Sequence, residues 1–532
     1  MNPTTRLLLL LFGLLLLPSL LINLGLMTFI DDEAIRSLVA LEMKLSGNYV
    51  APTLNGVWYY NKPPLFNWIL LGYFNLFGEW KEWVPRLATV VSLLGYGATI
   101  FYFFRKHYAA RLAWINALGF ITCGRVLLWD SQLGLIDITY SWVTFLAFMV
   151  VYHAFERQRW WTLFLVSYAL TAAGFLMKGL PSVVFQGLTL LAWFGYRRAW
   201  RPLFSLAHVA GGALFLAILG VYYWQYTQYH SLAEIFPTLL SESAKRTAVQ
   251  YGWKDTFLHL LTFPVEMVYH FLPWSLGVVF LFHRKLWSWI REDAFTFYLA
   301  LIFAVNILLY WTSVEVYPRY LLMHAPLLFG VFFYLQEKHA VARTRVYRLL
   351  EGVWGGFLVI FWLVAFLPFF WERAQLVEGY FWKAGVLVLL LTGLIGVFWK
   401  RRNERVFVLL TALLVFRLGF DWFVLPDRYR EDWGTLCKES SVQIAERLRT
   451  VPNLYLYRNT GLQYTNSFYI TAVRQRILER KFEGFKEGDY LIFDPAVELP
   501  LTWEPVGEIR LRQEKKILQV GRVQALVEKR AD

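Results

Sequence analysis

The sequence predicts an α-helical integral membrane protein of about 13 transmembrane helices, with a small α/β domain at the carboxy terminus. Three observations carry that expectation. The 532 residues are 58% hydrophobic and only 17% charged, with a mean hydropathy of +0.43, a balance that soluble globular chains do not show. Apolar runs long enough to span a bilayer recur from the first residues to about position 425. Polar, mixed-charge sequence is concentrated in 429–532.

The runs fall near 7–29, 86–104, 112–128, 138–154, 160–176, 179–196, 204–223, 263–282, 295–312, 320–335, 351–370, 381–399 and 405–425. The first follows Arg6 and has no small-x-small cleavage site, so a retained helix is expected there, not a removed signal peptide. The segment 64–78 is too short to cross about 30 Å at ~1.5 Å per residue. It also carries Asn67 and Asn75, and is expected to lie along the interface. With it so placed, every second loop collects the basic residues: Arg105, Lys106 and Arg111; Arg157 and Arg159; Arg197, Arg198 and Arg201; Arg284, Lys285 and Arg291. Lys338, Arg343, Arg345 and Arg348 follow, then Lys400, Arg401, Arg402 and Arg405. The positive-inside rule assigns these loops to the cytoplasm. The same parity puts a first outer loop (30–85), a long outer loop (224–262) and the carboxy terminus on the opposite, periplasmic side.

The expected division is thus a membrane domain over 1–428 and a soluble domain over 429–532. In the latter, 440–448 reads as helix and 454–457, 490–493 and 517–520 as strands. Cys123 and Cys437 lie far apart and in unlike surroundings, which argues against a disulfide framework or a cysteine metal site. The net charge of +14 matters less than where the basic residues sit, and no nucleic-acid partner is expected. Walker loop, dinucleotide glycine motif, nucleophile elbow and paired-histidine metal motif are all missing from the sequence.

The charges of the outer side carry the chemistry. Asp31-Asp32-Glu33 follows the first run; such a triplet serves either as an acidic cap on the next helix or as a general base for an attacking hydroxyl. Lys62 precedes Pro63-Pro64, and the proline holds it extended. It reads as a snorkelling anchor or as a ligand for a lipid phosphate. Asp130 and Asp137 flank the next outer connection, with Asp137 also able to act as an amino cap. Lys178 stands alone between two apolar runs, as an anchor or a phosphate ligand. Glu242, Lys245 and Arg246 cluster in the long outer loop, where Glu242 and Arg246 suit an i,i+4 pair and the arginine suits phosphate. Glu315 and Arg319 lie on the same side without a distinct role.

The order of these pieces resembles the GT-C superfamily of polyprenyl-phosphate-dependent glycosyltransferases, and within it the bacterial protein O-mannosyltransferase and lipid A aminoarabinose transferase group. The resemblance rests on Asp32-Glu33, on Ser46-Gly47-Asn48-Tyr49-Val50-Ala51-Pro52, on Leu54-Asn55-Gly56, and on Tyr60-Asn61-Lys62-Pro63-Pro64-Leu65 with Trp68. Asp137-Ile138-Thr139, Met177-Lys178-Gly179, Glu242 with Arg246, and Phe271-Leu272-Pro273-Trp274-Ser275 continue it in order. It covers roughly residues 5–335 by motif and the rest by architecture. By this resemblance the fold is GT-C and Asp32 is the catalytic carboxylate. Asp137 assists catalysis by positioning donor or acceptor, and Lys62, Arg246 and Lys178 bind the donor phosphate. Glu33, Asn61, Asp130 and Glu242 are supporting candidates.

The implied activity is inverting transfer of a hexosyl or pentosyl group from a polyprenyl (undecaprenyl) phosphate donor to a lipid, glycan or protein acceptor on the periplasmic side of a bacterial inner membrane. The aminoarabinose branch has Glu before the lysine and His after the Glu of its Glu–Arg pair; here those places hold Asn61 and Ser243. No cofactor is required, and the resemblance lends no support to a divalent metal or to transfer of that sugar. A flippase for lipid-linked sugars and a polymer-ligase-type transferase are the alternatives. Transporters more often place charges at mid-membrane in paired repeats, whereas these charges gather at one outer face.

Overall fold

The computed structural model describes residues 2–30, 32–244, 248–512 and 515–526. All thirteen apolar runs overlap helical segments, the first running on past its helix Pro3–Leu21. Nine helices among the described residues are long and apolar enough to cross a membrane, and ten if the bent pair Ala110–Thr122 and Gly124–Gln132, broken by 46°, is one span. The remaining runs are short helices, Pro181–Tyr196 and Ala325–Val341, or the end of Ala248–His270 continued by the 3-10 helix Trp274–Phe282. Much of 224–262 is therefore helical, where the sequence suggests only a loop.

The two broken spans satisfy each other. The Gly124 N–H, freed by the bend after Thr122, donates to the Leu272 carbonyl at 2.6 Å, and the Trp274 indole N–H donates to Thr122 Oγ1 at 3.2 Å. A Cβ at Gly124 would meet that carbonyl at 3.1 Å, so a bare backbone suits the contact. Irregular backbone at membrane depth is tolerated only when its polar groups are met inside the protein.

Side-chain contacts sort the loops to two ends. At one end Asn2 and Thr5 bind Glu404 (2.8 and 2.7 Å), Arg111 donates to the Asn403 carbonyl, and Arg405 pairs with Glu351 at 2.6 Å. Arg197–Glu156 and Lys338–Glu292 ion pairs belong to the same set of basic loops. The other end holds helix Glu33–Ser46, helix Leu65–Phe77 and the carboxy-terminal domain. Helix Leu65–Phe77 buries Phe66, Leu70 and Phe74 on one face and leaves Leu76 75% exposed. At about 20 Å it lies well short of a bilayer core.

The carboxy-terminal domain is a five-stranded mixed sheet, in spatial order Glu479–Lys481, Leu454–Tyr457, Tyr490–Phe493, Ile517–Leu526, Leu501–Arg510. The first two neighbouring pairs are parallel and the last two antiparallel. The parallel step from Leu454–Tyr457 to Glu479–Lys481 crosses over through helix Tyr464–Arg474, as parallel pairing demands. Helix Trp433–Arg447 contains the expected 440–448 segment almost entirely, and each expected strand is present.

This domain grips the first loop, residues 30–85, and the Phe29 backbone before it. Arg512 donates to the Phe29 carbonyl (3.1 Å) and pairs with Asp432 (2.9 Å). The Tyr469 hydroxyl donates to Glu82 (2.6 Å) and accepts from the Phe29 N–H (3.4 Å). Arg480 N–H donates to the Asn55 carbonyl at 3.0 Å. Asn55 and Gly56 form the turn of a tiny hairpin, Thr53–Leu54 with Val57–Trp58, and both have positive φ (54° and 71°). Asn-Gly is the pair that such a two-residue turn favours.

Glu42 holds that turn, accepting from Thr53 Oγ1 (2.7 Å), Asn55 N (2.7 Å) and Gly56 N (3.2 Å). Burial outweighs these donors and raises its carboxyl from 4.5 to about 7. The folded chain therefore binds more protons than the unfolded one between those values, so this group's contribution to stability falls as pH rises through that window. Glu42→Gln is expected to remove this component. Between about pH 5 and about pH 8 the wild-type melting temperature should fall more steeply than the variant's; parallel curves would contradict the assignment.

Candidate functional site

Two acidic residues occupy helix amino termini at the end remote from the basic loops, yet neither caps. Asp32 is the N-cap residue of Glu33–Ser46 and Asp137 lies in the first turn of Ile136–Glu156, and no side-chain cap bond is made at either helix. Both carboxylates turn instead to Arg319, from the 3-10 turn Pro318–Leu321. Arg319 Nη2 lies 3.5 Å from Asp32 Oδ2, and Nε lies 3.6 Å from Asp137 Oδ2. Lys178, the last residue of Trp160–Lys178, pairs with the other oxygen of Asp137. The cluster is thus two carboxylates bridged by one guanidinium and closed by an ammonium.

Aromatic rings hold the cations. Lys178 Nζ sits 4.2 Å above the Tyr320 ring and 5.0 Å from that of Tyr140, and the Arg319 guanidinium carbon is 4.6 Å from the Tyr317 ring. Exposure separates the acids. The Asp137 and Arg319 side chains are each 6% exposed, whereas Asp32 is 45% exposed. Asp32 alone of the two carboxylates is open to a reactant.

Glu33 faces the other way. It is fully buried against Arg86, with Nε–Oε1 at 2.9 Å and Nη2–Oε2 at 3.0 Å. Arg86 also donates to the carbonyls of Leu24, Met27 and Thr28. Glu33 in turn accepts from the Gly134 N–H (2.6 Å) and the Ile30 N–H (2.9 Å). Its contacts are those of a structural post beside Asp32. Asp130 is likewise buried and pairs with Arg125 at 3.1 Å, not with Arg319.

Lys62 is half-buried and borders a cavity of about 20 Å³ with Pro52, Tyr59, Tyr60, Tyr222 and Tyr226. The Tyr60 hydroxyl meets His230 Nε2 at 2.8 Å, and the His230 ring stacks on Trp58 at 4.8 Å. Burial, with the charge of Glu234, raises the Tyr60 hydroxyl above its ordinary value. Asn61, beside Lys62, is exposed. Arg246 and the side chain of Glu242 lie outside the described residues. Among the described residues no three His, Cys, Asp or Glu side chains come together to hold a metal ion. A second cavity, apolar and of about 260 Å³, is lined by Phe263, Met267, Phe271, Trp311, Leu321 and His324. Leu321 belongs to the same 3-10 turn as Arg319.

Arg319 is the residue that the sequence left without a role. Its signal was the Tyr317-Pro318-Arg319-Tyr320 setting, a cation between aromatic residues after a membrane run. If the cluster acts as one unit, Asp137→Asn and Lys178→Met will not add. A double-mutant cycle on thermal stability should give a coupling of about 1–3 kcal/mol; additivity would show the pair to be independent.

Residues 61–224 match the model of the dolichyl-phosphate-mannose-protein mannosyltransferase family. An undecaprenyl phosphate-alpha-4-amino-4-deoxy-L-arabinose arabinosyl transferase from Shewanella sediminis is 29% identical over 219 residues, covering 37% of this chain and 38% of that relative's length. In three dimensions, ArnT from Cupriavidus metallidurans bound to undecaprenyl phosphate superposes with a TM-score of 0.70, at 18% identity, over 97% of this chain and 98% of that one. Its apo state gives 0.66 over 96% and 97%. The chain therefore has the multi-pass membrane fold of ArnT, carboxy-terminal domain included, and resembles the polyprenyl-phosphate-sugar transferase group that its first-loop motifs point to.

Proposed function

We propose that the protein is an inverting glycosyltransferase that moves a sugar from a polyprenyl phosphate to an acceptor at the periplasmic face of an inner membrane. The observation that carries this reading is the half-exposed Asp32 carboxylate, fixed by Arg319 at the end of the molecule remote from the basic loops. Asp32 takes the proton of the acceptor hydroxyl as its oxygen attacks the anomeric carbon. The bond from that carbon to the phosphate oxygen breaks, and polyprenyl phosphate leaves with the electron pair.

The charge that develops on the leaving phosphate needs fixed cations. Lys62 lies in the same outer loop as Asp32, and Arg246 is its proposed partner from the long outer segment. Lys178 and Arg319 together hold Asp137, which suits Asp137 to orienting a sugar hydroxyl; Lys178 then serves the phosphate less directly than Lys62. The apolar cavity beside Leu321 suits the prenyl chain of the donor. The relative from Shewanella and the lipid bound to ArnT support undecaprenyl phosphate as carrier. Asn61, in place of an acidic residue, speaks against a metal at that position. The periplasmic orientation follows from assigning the basic loops to the cytoplasm.

Asp32→Asn in the purified protein tests the assignment. It should leave donor affinity within about twofold and lower transfer by roughly 10²–10⁴. Undiminished transfer would remove Asp32 from the reaction.

A further inference from the structure

Arg36 lies one helical turn beyond Asp32 on the same helix, its N–H bonded to the Asp32 carbonyl at 3.2 Å. It is only 5% exposed, and its Nε and Nη1 find no hydrogen-bond partner among the described residues. Its guanidinium carbon lies 5.6 Å from the centre of the Tyr59 ring, a π contact that supplies no acceptor oxygen. Two other buried arginines show the usual arrangement. Arg86 has Glu33 and three carbonyls, and Arg417 has Asp421 at 2.8 Å and the Leu127 carbonyl. The two acids at the start of the same helix are engaged elsewhere, Glu33 by Arg86 and Asp32 by Arg319.

A buried guanidinium with two nitrogens unmet among the described residues is disfavoured unless a ligand supplies the acceptor. Tyr59, which Arg36 faces, lines the same cavity as Lys62. Arg36 lies behind the Tyr59 ring of that small cavity; once a phosphate held by Lys62 displaces that ring, the planar guanidinium offers it paired N–H donors, a geometry that fits phosphate oxygens. We infer that Arg36 is a phosphate-binding residue that takes oxygens of the donor's phosphate together with Lys62. The inference rests on the transferase reading above, and names a residue that none of the first-loop motifs contains.

The test uses the full-length protein in nanodiscs, with undecaprenyl phosphate, undecaprenol and inorganic phosphate as probes, against Arg36→Met and Arg36→Lys. The Met variant should bind undecaprenyl phosphate at least about tenfold more weakly, with the Lys variant between it and wild type. Undecaprenol affinity should not change, and ligand-free Arg36→Met should melt at the wild-type temperature or above, because an unmatched charge has been removed. A lower melting temperature with parallel loss of both lipids would make Arg36 structural, and an unchanged affinity for undecaprenyl phosphate would also overturn the inference. Inorganic phosphate binding as tightly as the lipid would overturn its assignment to the donor. A wild-type protein that does not prefer undecaprenyl phosphate to undecaprenol would instead defeat the transferase reading itself.

Discussion

The Glu33–Arg86 pair sets the geometry on which the end bearing Asp32 and Asp137 depends. A guanidinium has five N–H donors, and Arg86 places all of them, on Glu33 and on the carbonyls of Leu24, Met27 and Thr28. The pair thereby ties the exit of the first membrane helix, the start of helix Glu33–Ser46 and, through Gly134, the turn before helix Ile136–Glu156. Asp32 and Asp137 adjoin those two tied points. A fully bonded buried pair is modest as a source of stability, but breaking one partner is costly because it strands the other. Here that cost protects a distance between two carboxylates.

A second constraint comes from outside the helical bundle. Arg512 and Tyr469 of the sheet domain bond the Phe29 backbone, and Arg480 bonds the Asn55 backbone. The loop bearing Asp32 is therefore held from below by Arg86 and from above by the sheet domain. Arg319 then joins the first-loop helix Glu33–Ser46 to the membrane helix Ile136–Glu156 through their acids. The catalytic reading of Asp32 draws on all three elements, since a base is effective only when held at hydrogen-bond reach of its proton donor.

Much of this was legible in sequence because it is local. The apolar runs, the short helix Leu65–Phe77 and three of the five strands of the sheet are encoded within windows of a few to twenty residues. The basic loops gather at one end of the structure, as the charge rule requires. What escaped the sequence is pairing at distance: Arg86 with Glu33 across 53 positions and Arg319 with Asp32 across 287. Arg86 sat at the head of an apolar run, where a lone arginine calls for a buried partner, but nothing local named Glu33. Strand Leu501–Arg510 was hidden by Pro505 and Gly507, which fall where its register shifts against Ile517–Leu526. The breaks after Thr122 and at Phe271 were hidden because each run is apolar throughout; only their mutual hydrogen bond explains them.

In the proposed reaction a half-exposed carboxylate held by a guanidinium acts as base in a single displacement with no covalent intermediate. The anomeric configuration of the product, determined by NMR from a polyprenyl-phosphate donor of known configuration, tests this most directly. The account predicts inversion at the sugar carbon. Retention would require an enzyme-linked intermediate and would contradict Asp32 acting as a base on the acceptor.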